Sequence, residues 1–262
     1  MVIKMEFRPC IDIHNGKVKQ IVGGSLTDQD NGAEENFVSE YDAAYYAELY
    51  KSRNLKGGHI ILLNPPSSAY YEETKRQALQ ALSAFPGGFQ AGGGITADNA
   101  AVYLNAGASH VIVTSYVFRD GRIQFPNLLK LLREVGQNHL VLDLSCRKKD
   151  GNYYIMTDRW QNFTNVMLNH DTLDQLASYC SEFLVHAVDV EGKSEGVEEE
   201  LLGILGEWNK IPITYAGGIH TYDDISKIKL LGKKKINITI GSALNLFGGN
   251  LEFDRVIQTI RD

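Results

Sequence analysis

The chain has 262 residues, a formal net charge of −6 and three cysteines, a length that suits either two small domains or the roughly 250 residues of one eight-fold β/α barrel. No apolar run approaches the ~18 residues of a membrane span, and residues 1–7 are too short an apolar stretch for a secretory signal. The acidic balance argues against nucleic acid, because phosphate-backbone affinity needs a basic face, and Cys10, Cys146 and Cys180 lack any C-x-x-C pairing, so they read as buried thiols of a cytosolic protein.

In chain order, eight apolar runs of strand length are expected at residues 9–13, 59–63, 89–91, 111–114, 140–144, 183–187, 213–215 and 236–240. Helical patterns fall between and after them at 42–51, 72–83, 96–105, 125–135, 172–180, 197–208, 221–231 and 251–261. No Pro/Ser-rich linker or composition break interrupts the series, so the whole chain is expected to form one domain. Eight-fold alternation predicts a closed (β/α)8 barrel with its chemistry on the loops after each strand. A doubly wound open sheet is disfavoured because no G-x-G-x-x-G follows the first strand.

Two aspartates sit near the ends of corresponding strands, half a chain apart: Asp12 in Pro9-Cys10-Ile11-Asp12 and Asp143 in Leu140-Val141-Leu142-Asp143. One carboxylate alone would read as a loop residue or a helix cap. A matched pair suits general acid–base chemistry, with one member ionised and the other protonated. A second repetition runs at nearly the same offset. Ala91-Gly92-Gly93-Gly94-Ile95 answers to Tyr215-Ala216-Gly217-Gly218-Ile219, and the run that ends at Ser115 answers to the run that ends at Gly241-Ser242. A lone Gly-Gly is usually a tight turn, but its recurrence with a small hydroxyl residue after the next strand points to two phosphate sites, hence a bisphosphorylated substrate. Asp189, just past the sixth strand, is a weaker candidate for a supporting role. The seven histidines show no metal-ligand spacing and are given ordinary polar roles, and no serine nucleophile elbow is present.

At these residues the chain resembles the aldose–ketose isomerases of histidine biosynthesis, in their eukaryotic-type branch. The resemblance lies in Cys10-Ile11-Asp12-Ile13-His14-Asn15-Gly16-Lys17-Val18, the two glycine loops, Gln20-Ile21-Val22-Gly23-Gly24 and Gly241-Ser242, and it covers essentially the whole chain. It implies a TIM barrel built from two similar half-barrels, an Amadori rearrangement without cofactor or metal, Asp12 as general base and Asp143 as general acid. It also implies Gly94 and Ser115 at one phosphate, Gly218, Gly241 and Ser242 at the other, Trp160 against the substrate, and a chain acting as a monomer. Three departures stand out: Gln20 where bacterial members carry arginine, no aspartate near Leu62, and a shorter segment Val188-Asp189-Val190-Glu191-Gly192, which leaves Asp189 and Glu191 both open for the supporting role. Two rival readings are the sister cyclase, which needs ammonia from a glutaminase partner, and a catalytically silent phosphate-binding barrel.

Overall fold

The computed structural model describes residues 4–22, 25, 34–193 and 196–262; Gly23 and Gly24, which end the first motif, lie outside them. The buried apolar runs form strands β1 (Cys10–His14), β2 (Gly58–Leu62), β3 (Phe89–Gly92), β4 (His110–Val113), β5 (Leu140–Asp143), β6 (Glu182–His186), β7 (Ile213–Ala216) and β8 (Ile236–Ile238). Sequential neighbours pair in parallel along the whole series. Each connection passes through a helix, as parallel pairing requires. These are α1 (Ala43–Ser52), α2 (Tyr71–Ala84), α3 (Ala100–Asn105), α4 (Phe125–Val135), α5 (His170–Ala177), α6 (Glu199–Trp208) and α7 (Tyr222–Leu231), with α8 (Phe253–Arg261) after the last strand. The helices bury one stripe against the sheet. In α4, for example, Leu128, Leu131 and Val135 recur at helical spacing, and α7 opens on a capping box in which Thr221 and Asp224 each satisfy the other's backbone.

The sheet has ten strands, because β1 continues antiparallel into Lys17–Ile21 and then Glu35–Val38. The link is the Asn15-Gly16 turn, with φ of 51° and 71°, the left-handed pair that a two-residue hairpin of matching twist demands. A further three-stranded sheet, Cys146–Lys149, Asn152–Thr157 and Asn162–Met167, follows β5. Of these added strands the sequence suggests only an extended piece from Asn152 to Met156, which the structure contains; in Lys17–Ile21 the buried Lys19 and Gln20 interrupt the apolar pattern, and of Cys146–Lys149 only Cys146 is buried.

The two ends of the parallel series approach each other. Arg8 N donates to Ile238 O at 2.8 Å, Ile238 N donates to Glu6 O at 3.0 Å, and Phe7 bridges Ile238 in the parallel sense. The sheet is therefore strongly curled, and the alternation of its strands stacks the concave side in layers. Toward the strand starts lies a buried polar layer, where Glu182 accepts from Gln90 Nε2 at 3.0 Å and Thr214 Oγ1 at 2.8 Å and pairs with Arg8. Above it Ile61, Ile112, Val141 and Leu184 form a small core distinct from the one under the helices. Two residues further on, the same faces of β5 and β6 present Asp143 and His186. A period-two strand that places Glu182 and Leu184 inside must aim His186 at the mouth.

Candidate active site

Asp143 is held by its own loop. Its Oδ2 accepts from Thr114 Oγ1 at 2.9 Å, and its Oδ1 accepts from Ser145 N at 2.8 Å and from the Ser145 hydroxyl. The Ser145 oxygen in turn lies 3.0 Å from His186 Nδ1. His186 Nδ1 is 4.0 Å from Asp143 Oδ1, too far for a direct hydrogen bond, so the two communicate through charge and through Ser145. Burial works to raise the Asp143 pKa, but His186 and the Ser145 donors outweigh it and hold the carboxyl below its ordinary range. For His186 burial works downward, and Asp143, Glu191 and Asp12 together pull it above the usual histidine value. His59, whose ring is 6.0 Å from that of His186, goes the other way: burial lowers it to about 3 and keeps it neutral.

Asp12 occupies the equivalent strand end in β1, in a different environment. Burial pushes its carboxyl up to about 7, with His186 opposing the rise and Glu191 adding to it. It lines a cleft together with Gln20, His59, His186, Glu191, Gly218, Thr239, Gly241 and Ser242, among others. Three buried polar atoms of this cleft, Gln20 Nε2, Glu191 Oε2 and Thr239 Oγ1, have no hydrogen-bond partner among the described residues, beyond the soft sulfur of Cys10 beside Gln20 and Thr239. Such atoms cost roughly 1–3 kcal/mol each when left unpaired. Their convergence on one space is what a polar ligand would relieve.

The glycine loops have matching geometry. Gly93 and Gly94 have φ of 99° and 68°, and Gly217 and Gly218 have 114° and 73°. Part of the requirement is packing, since a Cβ on Gly218 would fall 1.8 Å from Gly196 O, whereas one on Gly94 would meet nothing nearer than Pro66 at 3.8 Å. Neither glycine touches a helix start directly: α3 begins at Ala100 and α7 at Tyr222, so loop amides, not helical ones, would face an anion at these turns.

Of the expected site residues, Asp12, Gly218, Gly241 and Ser242 share the cleft, while Asp143 adjoins it through Ser145 and His186. Gly94 and Ser115 lie outside the cleft lining. Ser115 Oγ accepts from Thr157 Oγ1 at 2.9 Å and Asp158 N at 3.0 Å, which pins the loop that carries Trp160. The Trp160 ring sits 5.2 Å from the His186 ring, on a run of three left-handed residues, Asp158, Arg159 and Trp160. Asp189 is placed away from the cleft, accepting from Arg147 Nε at 2.7 Å and Lys148 N at 3.0 Å; Glu191 is the carboxylate that reaches it. Sequence reasoning gave His186, Ser145 and Thr239 no role. The signal was available for His186, which ends β6 as Asp143 ends β5. Among the described residues, no group of three His, Cys, Asp or Glu side chains is placed to hold a metal ion, and no helix is long and apolar enough to cross a membrane.

Comparison with known proteins gives consistent matches. A family model described as histidine biosynthesis protein matches residues 6–251. A Medicago truncatula protein is 52% identical over 97% of this chain and 81% of its own length. A Yarrowia lipolytica protein is 46% identical over 94% and 93%, and one from Saccharomyces cerevisiae 43% identical over 94% of each. All three are named as isomerases of a bis-phosphoribosyl imidazole-4-carboxamide, the plant protein as chloroplastic.

Proposed function

This chain belongs to the histidine biosynthesis protein family, and from that premise we propose that it is an Amadori isomerase. It converts N'-(5'-phosphoribosyl)formimino-5-aminoimidazole-4-carboxamide ribonucleotide to its phosphoribulosyl isomer, as a single catalytic domain acting as a monomer. The observation that carries the reading is the cleft itself, where Asp12, with a carboxyl near neutrality, meets three buried polar atoms that have no partner beyond the Cys10 sulfur. The eight parallel strands form a closed (β/α)8 barrel of two half-barrels. Support comes from the backbone bonds between residues 6–8 and Ile238 and from the matched φ angles of the two glycine pairs.

In this mechanism Asp143 protonates the ribose ring oxygen and opens the aminoaldose to a protonated imine. Asp12 then removes the C2′ proton, and the enolamine tautomerises to the aminoketose. A base with a pKa of about 7 is matched to work near neutral pH. Gly218, Gly241 and Ser242, with Gln20 and Thr239, hold one phosphate, and Gly94 and Ser115 hold the other. Ser115 suits that task because its oxygen already accepts two hydrogen bonds and keeps its own proton to donate. Trp160 covers the sugar, and Glu191 takes the supporting role in place of Asp189. Binding energy at the two ends orients the reacting carbon between the aspartates. We place the enzyme in a reducing compartment, the cytosol, a reading supported by three buried free thiols.

The test is turnover of the purified ribotide without added metal or ammonia, followed as formation of the ketose. Asp12→Asn and Asp143→Asn should each lose about 10²-fold or more. No turnover by the wild type, or an absolute need for ammonia, would remove the isomerase reading.

A further inference from the structure

Beside the cleft Asp143 accepts hydrogen bonds from Thr114 Oγ1, Ser145 N and Ser145 Oγ. A carboxyl surrounded by donors is ionised, yet a general acid must hold a proton before it can give one. The supply must lie within reach. Ser145 is fully buried, and its one hydroxyl proton is committed to Asp143, so toward His186 Nδ1, 3.0 Å away, its oxygen can only accept. That orientation requires a proton on Nδ1 and lines up a continuous path: His186 Nδ1–H, Ser145 Oγ–H, Asp143 Oδ1.

The geometry points to His186 as the proton source for Asp143, acting through the Ser145 hydroxyl; the inference rests on the isomerase reading with Asp143 as the acid. The Nδ1 proton moves to Ser145 as the Ser145 proton moves to Asp143, so imidazolium and carboxylate become neutral imidazole and carboxylic acid. No electrons are transferred and total charge is unchanged. Asp143 then protonates the ring oxygen. When Asp12 returns its proton to C1′ and the enolamine hydroxyl becomes the ketone, the hydroxyl proton returns along the same path. The groups that face His186 fit this role. Asp143 at the end of β5, Glu191 after β6 and Asp12 on β1 favour the charged ring, Ser145 after β5 lies against its Nδ1, His59 on β2 stays neutral, and the Trp160 indole packs against it.

The discriminating variant is His186→Asn, whose amide nitrogen can reproduce the Nδ1 donor but has no proton to release. For a variant that keeps the wild-type circular dichroism and melting profile, kcat should fall about 100-fold while KM stays within about threefold, as expected for loss of a step and not of binding. The alkaline limb of the pH–rate profile should vanish with it. A folded His186→Asn enzyme that keeps wild-type kcat and its alkaline limb would overturn the relay. A second measurement needs no variant: the alkaline limb of wild-type kcat/KM should coincide with the His186 titration observed by nitrogen-15 NMR, and a separation above about one pH unit overturns the assignment. Failure of the isomerase reading would register separately, as absence of wild-type turnover.

Discussion

Asp12 predicts a measurable conflict between stability and chemistry. Burial raises its carboxyl from an ordinary 3.8 to about 7, so the folded protein prefers the protonated form. Below pH 3.8 both folded and unfolded chains hold the proton and the residue imposes no penalty. As pH rises from there to about 7 the unfolded chain releases its proton and the folded one does not, so stability is lost across that interval and levels off above it. An interval of about 3 pH units at about 1.36 kcal/mol each is about 4 kcal/mol. Asp12 faces an open cleft and is only partly covered, and solvent there trims the figure to about 2–4 kcal/mol. Asp12→Asn is nearly isosteric and cannot ionise. Its stability relative to wild type should therefore improve by that amount between pH 4 and pH 8, which for a chain of this size corresponds to about 4–16 °C in the difference of thermal midpoints. The same variant should lose turnover by about 10²–10⁴-fold. Melting curves of both proteins at half-unit pH steps give the answer. A stability difference that does not change with pH would show that Asp12 is solvated as an ordinary carboxylate and that the tuned-base argument is wrong.

Other expectations follow from neighbouring residues. Gly241→Ala would bring a methyl within 2.0 Å of Gln20 Oε1, the movable end of a side chain, whereas Gly218→Ala would strike the backbone oxygen of Gly196. Gly241→Ala should raise KM about tenfold or more with little change in melting temperature, and Gly218→Ala should lower the melting temperature; the reverse pattern would refute the placement of Gln20 at a phosphate. Glu191→Gln removes a charge that raises the Asp12 pKa, so the acid limb of the pH–rate profile should move to lower pH, and an unmoved limb would separate the two carboxylates. Substrate should change the fluorescence of Trp160, beside His186, and leave Trp208 silent, because Trp208 is buried and donates to Asp174 at 2.8 Å. A signal that survives Trp160→Leu but disappears with Trp208→Leu would reverse this.

The alternation of buried strands and amphipathic helices was legible in the sequence because each signal is local. A parallel strand covered on both faces is a continuous apolar run, and a helix of the outer layer carries its stripe at helical spacing. Within a residue or two, the expected strand starts coincide with β1 to β8. The repeated strand ends that carry Asp12 and Asp143 and the repeated glycine pairs were legible for the same reason, since both repetitions are visible in the order of residues. The strand at Lys17–Ile21 was not read as one because two of its buried residues, Lys19 and Gln20, are polar and break the apolar run; of the three-stranded sheet after β5, the sequence suggested only the extended piece from Asn152 to Met156, and Cys146–Lys149 carries a single buried residue.

What only the tertiary structure decided is which polar groups meet. Gln20 and Gly241 stand at opposite ends of the chain, yet a Cβ on the second would strike the first. Asp189 and Glu191 look equivalent in sequence, but two positions along a bend after β6 turn one outward to Arg147 and the other into the cleft. Asp12 and Asp143 match as strand ends and still differ in ionisation, because burial of the first is reinforced by Glu191, while the donors and the charge of His186 around the second outweigh its burial. A pKa is set by the few ångströms around a group, and that neighbourhood is assembled from segments that lie far apart along the chain.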